Sequence, residues 1–234
     1  MNIVITGASK GIGYATTIEL ARNAEHTIVC LARNEEKLIK LKKDVESINP
    51  KTSIIGIAFD LTKLNQYADL VKSITRNIKR VDILINNAGL LSAKPLTELS
   101  LEGIHSMVEV NYLAPMLLTK EIIPYMGNGS HVVNISSMGG FQGSVKFPGL
   151  SVYASSKAAL ASLTENLAEE NKSSGISFNC LALGATDTEM LREAFPDYKA
   201  PLTAQEMACF IAYFAVNGHK FFNGKILPVS VSTP

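Results

Sequence analysis

Tyr153 and Lys157 form the pair of side chains in this sequence that is best suited to proton transfer. Residues i and i+4 share one face of a helix, so a phenol and an ammonium at this spacing would be neighbours. A phenol has a pKa of about 10, and a nearby positive charge favours the phenolate and lowers that pKa towards neutrality. The pair is therefore a candidate for general acid–base catalysis at an oxygen atom. On spacing alone, an ordinary exposed pair on a helix is the commoner explanation.

A glycine-rich segment follows the first apolar run of the chain. Gly7, Gly11 and Gly13 stand in TGASKGIG, between a β-branched run and a helix-like stretch. Glycines at such a turn let the backbone approach a pyrophosphate closely, and the N-terminus of the next helix offers free N–H groups and a partial positive charge. The spacing differs from GxGxxG, and a purely structural turn is the alternative.

The composition indicates a folded globular chain and excludes several classes of function. Of 234 residues, 47% are hydrophobic and 18% charged, which is enough for a sizeable core and excludes a disordered chain. The formal net charge of +1 offers no basic surface for nucleic acid and no polybasic membrane patch. The longest near-apolar stretch, residues 208–216, is shorter than the roughly 20 residues of a membrane helix.

No metal site or disulfide framework is expected. Cys30, Cys180 and Cys209 have no CxxC spacing, and the four histidines have no HxxxH or HExxH spacing. Because the chain enters a strand-like segment directly after Met1, no signal peptide is expected. A reduced, cytoplasmic setting is the default expectation.

Strand-like and helix-like segments alternate along the chain. Short apolar runs predict strands over Asn2–Thr6, Thr27–Leu31, Ser53–Ala58, Val81–Ile85, His131–Ser136, Ile176–Leu181 and Lys225–Val229. Helices are predicted over Ile12–Asn23, Glu35–Ile48, Lys63–Ile78, Leu101–Met126, Ser151–Ser173 and Thr203–Asn217. Most of these strands are apolar throughout, which is typical of a parallel sheet covered by helices on both faces. The pattern predicts one α/β domain over residues 1–234, with a doubly wound parallel sheet of about seven strands flanked by helices.

Two longer connections leave the carboxyl edge of this sheet, where open α/β sheets bind ligands. Residues 137–149 are rich in glycine, and residues 184–201 join the sixth strand to the last helix. A short helix over Glu189–Phe195 could cover the site.

Four motifs, in order along the chain, resemble those of the short-chain dehydrogenase/reductase family. They are the TGxxxGxG loop at the N-terminus, the NNAG sequence Asn86–Gly89 after the fourth strand, the serines 136–137 at the end of the fifth strand, and the YxxxK of Tyr153 and Lys157. The resemblance covers essentially the whole chain. It implies a Rossmann-like fold and an NAD(P)-dependent oxidoreductase that acts on a small-molecule carbonyl or alcohol.

The resemblance also implies roles for the candidate catalytic residues. Tyr153 would be the general acid/base, and Ser137 would bind and orient the substrate oxygen. Asn111 would hold a water that links Lys157 to solvent. Pro115, four residues after Asn111, is expected to bend the helix there. The alternatives are that the serines only cap the strand and that Asn111 lies on the helix surface.

The cofactor-binding residues implied by the resemblance are spread over the whole sheet edge. They are Gly7, Ser9, Lys10, Gly11, Ile12, Gly13, Arg33, Asp60, Leu61, Asn87, Ala88, Gly89, Tyr153, Lys157, Gly184, Thr186 and Thr188. Arg33 occupies the end of the second strand, where NAD specificity usually needs a carboxylate, and Lys10 adds a second cation. NADP(H) is therefore the expected cofactor, and NAD(H) is the alternative. Arg33 and Lys10 could instead be solvated surface charges, and Asp60 could cap the helix that follows it.

The sequence departs from the family pattern near the expected substrate pocket. Sixteen positions separate Ser137 from Tyr153, more than is common in the family, which indicates a short insertion over Gln142–Leu150. After the sixth strand, Leu183 replaces the usual proline and Thr186 the usual valine, and the usual C-terminal glycine pair is missing.

Within this family, an NADPH-dependent carbonyl reductase is expected, and a 3-oxoacyl thioester is the commonest template for the substrate. A small ketone such as a sugar, a pterin or a steroid-like compound is an alternative. A nucleotide-binding regulator or scaffold without turnover is the alternative from another functional class. The family mostly forms homodimers or homotetramers through two helices, here Leu101–Met126 and Ser151–Ser173.

Overall fold

Seven parallel strands form the central sheet of the computed structural model, which describes residues 1–231. The strands of the chain are β1 (Asn2–Thr6), β2 (Thr27–Ala32), β3 (Ser53–Ala58), β4 (Ile83–Asn86), β5 (His131–Ser137), β6 (Ser177–Leu183), β7 (Thr186–Asp187), β8 (Leu202–Thr203) and β9 (Lys225–Val229). The predicted bounds of the seven sheet strands agree with these within two residues.

Helices cover both faces of the sheet. They are α1 (Gly11–Asn23), α2 (Glu35–Ile48), α3 (Tyr67–Asn77), α4 (Leu101–Val108), α5 (Ala114–Ile122), α6 (Ser151–Glu170), α7 (Glu189–Ala194) and α8 (Ala204–Asn217). The short helix expected between the sixth strand and the last helix is present as α7.

The strand order is β3-β2-β1-β4-β5-β6-β9, and all neighbouring strands are parallel. The order changes direction between β1 and β4, which leaves a crevice at the carboxyl ends of these strands. The predicted doubly wound, Rossmann-like α/β fold is therefore confirmed.

Successive residues of each inner strand pack on opposite faces. Ile3 and Ile5 of β1 belong to the core beneath α1, α2 and α8, whereas Val4 belongs to the core beneath α3, α5 and α6. All three side chains are fully buried. Burial on both faces explains why these strands are apolar throughout.

The helix predicted over Leu101–Met126 is not continuous. A π-helical segment, Glu109–Leu113, separates α4 from α5, and a 3-10 turn over Ile123–Tyr125 ends the stretch. Pro115, in the first turn of α5, has no N–H for the carbonyl of Asn111. A local widening of the helix accommodates the missing hydrogen bond.

A second difference concerns the start of α3. The helix begins at Tyr67 instead of Lys63, because a 3-10 turn over Leu64–Gln66 precedes it. Asp60 therefore does not cap that helix, and its carboxylate accepts hydrogen bonds from the backbone and hydroxyl of Thr62 at 3.1 and 3.0 Å.

Within residues 1–231, no helix is long and apolar enough to cross a membrane. The same residues contain no cluster of three or more His, Cys, Asp or Glu side chains placed to hold a metal ion. The three cysteines are free, and Cys209 is exposed while Cys30 and Cys180 are buried.

Candidate active site

The glycine loop connects β1 to α1 with little room for side chains. Gly7 has a φ of +68°, a conformation that L side chains rarely adopt. A Cβ on Gly13 would stand 2.4 Å from the carbonyl oxygen of Gly7 and 2.4 Å from Nδ2 of Asn87. Backbone packing of this density requires glycine at both positions.

Among the described residues, no side chain caps the N-terminus of α1. Lys10 is the N-cap residue and makes no side-chain cap, and the first turn contains no acidic residue. The first N–H groups of the helix are thus left for an anion, and the helix dipole favours negative charge there. Ser9 is half-buried in the loop, and Ile12 packs against the core.

Residues after β4 hold the glycine loop in place. The hydroxyl of Thr6 accepts the backbone N–H groups of Asn87 and Ala88 at 3.1 and 3.0 Å. The side-chain amide of Asn87 donates to the carbonyl of Thr6 at 2.9 Å. The side chain of Asn87, one of the expected cofactor-binding residues, is therefore directed at the loop backbone.

Lys157 is buried beside the ends of β4 and β5. Its side chain is 3% exposed and its Nζ donates to the carbonyl oxygen of Ile135 at 2.8 Å. Burial disfavours the ammonium and lowers the pKa of Lys157 to about 8. Ser136 faces the same helix, where its hydroxyl donates to the Lys157 carbonyl at 2.8 Å. The two serines thus point in different directions, and Ser137 is the one left for the pocket.

Asn111 lies in the interior, not on the helix surface. Its amide accepts from the N–H of Leu90 and donates to the carbonyl of Leu90, each at 2.8 Å, and it also donates to Ser156 Oγ at 3.1 Å. The π-helical segment turns this residue inward. Asn111 Oδ1 and Lys157 Nζ each lie 3.6 Å from the point where a Cβ on Gly89 would stand, so the two polar groups converge there.

Tyr153 and Ser137 are neighbours, close enough for the Ser137 hydroxyl to affect the pKa of the phenol. Burial raises the pKa of Tyr153, and the Ser137 hydroxyl opposes that shift. Among the described residues, Ser137 is the group that lowers this pKa, and the Lys157 ammonium is bound to the Ile135 carbonyl. Ser137 Oγ also accepts the N–H of Gly139 at 3.2 Å.

The two cations expected at a 2′-phosphate have different surroundings. Arg33 is exposed at the end of β2, close enough to Asp60 to contribute to the lowered pKa of that carboxyl. The largest cause of that lowering is the backbone N–H of Thr62. Lys10 forms a 2.5 Å ion pair with Glu189, the first residue of α7, and both side chains are about half exposed.

The connection after β6 covers the glycine loop. Thr188 caps α7 by accepting the N–H of Leu191 at 3.2 Å, and its Cγ2 lies 3.7 Å from the Cβ position of Gly11. Thr186 is buried, and β7 and β8 pair in parallel at the base of this connection. Gly184, in tight contact with Ser230, marks its start.

The remaining predicted cofactor residue, Leu61, is partly buried and packs against the core at the end of β3. The structure therefore brings all the predicted residues to one edge of the sheet. Sequence reasoning missed Thr6, Ser156, Glu189 and the backbone partners of Asn111. A carbonyl partner leaves no trace in a sequence, and Glu189 is far from Lys10 along the chain.

Comparisons with known proteins agree with this geometry. The model of the short chain dehydrogenase family matches residues 1–199. The NADP-dependent 3-hydroxy acid dehydrogenase of Schizosaccharomyces pombe is 32% identical over 190 residues, which cover 80% of this chain and 72% of that protein. The 3-oxoacyl-(acyl-carrier-protein) reductase of Thermotoga maritima is 30% identical over 241 residues, which cover 97% of this chain and 94% of that protein. A short chain dehydrogenase from Burkholderia cenocepacia, solved in complex with NADP, has a TM-score of 0.89 at 26% identity, covering 99% of this chain and 96% of that one.

Proposed function

This chain belongs to the short-chain dehydrogenase family and is an NAD(P)-dependent oxidoreductase, and we propose that it reduces a small-molecule ketone with NADPH. One observation carries the proposal. The neighbouring Ser137 and Tyr153 hydroxyls, and the Asn111 and Lys157 side chains that converge on Gly89, lie at the same edge of the sheet as the glycine loop.

The residues present fit a dinucleotide. The close approach of Gly7 and Gly13 would let a pyrophosphate lie on the backbone, and the uncapped start of α1 would bind it. Lys157, beside Gly89, would bind the ribose next to the nicotinamide, and Thr186 and Thr188 would close over that half. The bound nicotinamide supplies the hydride.

The chain's own residues would handle the substrate oxygen. Ser137 would donate a hydrogen bond to the carbonyl oxygen and fix its position. The Tyr153 hydroxyl would transfer its proton to that oxygen as negative charge develops there. The raised pKa of Tyr153 keeps the phenol protonated at neutral pH, as a general acid requires. Asn111 holds the backbone of Leu90 in place beneath this group.

We propose NADP(H) as the preferred cofactor. Support comes from the exposed Arg33 at the end of β2, since a guanidinium suits a phosphate dianion. Arg33→Asp should shift the preference towards NAD(H), as measured by the ratio of kcat/KM values for the two reduced cofactors. A wild-type protein that uses NADH better than NADPH would contradict this proposal.

For the substrate, we propose a 3-oxoacyl thioester or a related 3-oxo acid derivative. The names of two relatives, a 3-oxoacyl reductase and a 3-hydroxy acid dehydrogenase, support this class. The insertion over residues 142–150, which lies between Ser137 and Tyr153 in the chain, is where selectivity for another ketone would arise. A panel that compares 3-oxoacyl thioesters, 3-oxo acids, cyclic ketones and keto sugars would rank these candidates.

The activity itself is tested by following NADPH absorbance with the ketone panel. Tyr153→Phe should nearly abolish turnover while NADPH still binds. Tyr198→Phe is a matched control, because Tyr198 is an exposed tyrosine on the connection after β6 and carries no proposed role. If the wild-type protein binds NADPH but reduces no ketone in the panel, a non-catalytic nucleotide-binding regulator becomes the better account.

We also propose that the protein forms a homodimer or homotetramer through the α4–α5 region and α6. Four alanines of α6 would permit close helix approach: Ala161 and Ala168 are buried within the chain, Ala159 is half-buried, and Ala158 is exposed. Ala158 is therefore the one that would meet a second copy. Ala158→Arg should convert the assembly to monomers in light scattering, and an unchanged mass would refute this interface.

A further inference from the structure

The insertion after β5 places a lysine ammonium against its own backbone. Lys146 Nζ donates to the carbonyls of Gly139 and Phe141 at 3.0 and 2.6 Å and to Ser144 Oγ at 2.8 Å. An ammonium has three N–H donors, and these three contacts use all of them. Although Lys146 is exposed, its side chain is committed to the loop and is not extended into solvent.

Ser144 connects the Lys146 ammonium to Ser137 through further hydrogen bonds. Its hydroxyl has two carbonyl acceptors within reach, Met138 and, at 2.9 Å, Phe141, and the contact with Met138 is the shorter of the two. The Met138 carbonyl shares one peptide group with the N–H of Gly139, which donates to Ser137 Oγ at 3.2 Å. A continuous hydrogen-bonded path, hereafter the Lys146 relay, thus runs from a positive charge through Ser144 and one peptide group to Ser137.

The direction of every hydrogen bond in the relay is the same. A hydroxyl that accepts from a cation becomes a stronger donor, and an amide whose oxygen accepts becomes a stronger donor at its nitrogen. Because Ser137 Oγ accepts the Gly139 N–H, its own hydrogen is free for Tyr153 or for the substrate oxygen. The relay both orients the Ser137 hydroxyl and strengthens it as a donor.

We propose that Lys146 and Ser144 are positioning residues, which act through the Met138–Gly139 peptide to direct and polarise the Ser137 hydroxyl. The inference rests on the proposed function, since it assumes that Ser137 and Tyr153 act on the substrate oxygen. It assigns to the insertion a part in proton transfer.

Two simpler explanations make different predictions from the relay. Lys146 could only brace the loop, or its charge could act on Tyr153 through space. Ser144→Ala separates both from the relay, because it removes a single oxygen and leaves Lys146 its charge and its contacts with Gly139 and Phe141. Lys146→Met breaks the relay at its origin.

The experiment follows the ionisation of Tyr153 without turnover. The protein is labelled with 13C at tyrosine Cζ, and the Tyr153 signal among the seven tyrosines is assigned with Tyr153→Phe. The signal is titrated from neutral pH to the alkaline limit of folding. Lys94→Met is the matched control, because the Lys94 backbone contacts the same insertion through Gly149 at 3.1 Å while its side chain takes no part in the relay.

We expect Ser144→Ala and Lys146→Met each to raise the pKa of Tyr153 by about half a unit, since a weaker Ser137 donor stabilises the phenolate less. In the double variant, the Tyr153 pKa should rise no further than in either single variant. In a Ser137→Ala background, neither change should shift the Tyr153 pKa. An unchanged Tyr153 pKa in Ser144→Ala overturns the relay. A shift in Lys146→Met alone would assign the effect to the charge through space and would also overturn it.

Steady-state kinetics with NADPH and the best ketone provide the second readout. Both variants should lower kcat roughly threefold to tenfold and move the pH profile of kcat, with little change in the KM for NADPH. If wild type reduces no ketone but the Tyr153 pKa still shifts in both variants, the proposed function fails and the relay stands. If wild type is active and the pKa does not shift, the relay fails alone.

Discussion

Replacing Lys157 by methionine should stabilise the cofactor-free protein at neutral pH while abolishing activity. The pKa of Lys157 falls from its ordinary 10.5 to about 8 because the ammonium is buried. At about 1.4 kcal/mol per unit, this lowering corresponds to about 3 kcal/mol of unfavourable free energy in the folded state. Methionine keeps the unbranched stem and removes the charge. The variant also loses the hydrogen bond to Ile135, which destabilises it by about 1 kcal/mol. We therefore expect the free energy of unfolding to increase by about 2 kcal/mol in total.

The sign of the pH dependence follows from the same lowering. Below pH 8, the folded and the unfolded chain both hold the Lys157 proton, so the cost of burial is fully present. Between pH 8 and pH 10.5, the unfolded chain keeps a proton that the folded chain has released, and wild-type stability therefore rises with pH relative to the variant. The advantage of Lys157→Met should shrink across this window and then reverse slightly.

Urea denaturation of both proteins, at neutral pH and at steps up to the alkaline limit of folding, measures this difference. Comparing the two proteins at each pH removes the contribution of other titrating groups. Lys94→Met serves as the control, because Lys94 is exposed and its replacement should leave stability within about 0.5 kcal/mol of wild type. A Lys157→Met variant that is less stable than wild type at pH 7, or a difference that does not change with pH, would refute the reasoning.

Three other changes test the cofactor loop, the core and the connection over the site. Gly13→Ala should weaken NADPH binding at least roughly tenfold, because its Cβ would stand 2.4 Å from a backbone oxygen; NADPH fluorescence measures this cleanly, since the chain has no tryptophan. Burial lowers the pKa of His131 from 6.5 to about 4. As the pH falls from 6.5 to 4, the unfolded chain gains a proton that the folded chain does not, so wild type should lose up to about 3 kcal/mol of stability. His131→Asn should remove most of the decrease in the urea midpoint over this pH range. Glu189→Gln should release Lys10 and tighten NADP(H) binding roughly threefold with no effect on NAD(H), and equal effects on both cofactors would contradict a contact with the 2′-phosphate.

The sheet could be predicted closely from the sequence because its signal is local. Each inner strand is a short apolar run that must be buried on both faces, and helix-length stretches separate consecutive strands. With right-handed crossovers, this alternation leaves few topologies. The break in the long helix could be predicted only in part. Pro115 indicates a bend, but nothing in the sequence distinguishes a kink from the π-helical segment over Glu109–Leu113.

The site residues could be identified by type and order, whereas their interactions could not. Tyr153 and Lys157 share a helix face as predicted, yet Lys157 is bound to the carbonyl of Ile135 and leaves Ser137 as the group that opposes the raised pKa of Tyr153. The carbonyl that captures the ammonium has no side-chain signature. Lys10 likewise pairs with Glu189, and the pairing depends on how the connection after β6 folds back.

Departures from local folding rules gather at the carboxyl edge of the sheet. Three features of this edge are energetically unfavourable for folding. They are the buried ammonium of Lys157, the π-helical segment around Asn111 and the close backbone packing of Gly13. Each has a counterpart in the chemistry: the ammonium beside Gly89, the inward-facing amide and the open start of α1. Such departures persist only where the surrounding structure determines them, here through the hydrogen bonds to Ile135 and Leu90. This reasoning predicts that the wild-type site sacrifices stability for function, which is the trade-off that the Lys157→Met comparison measures.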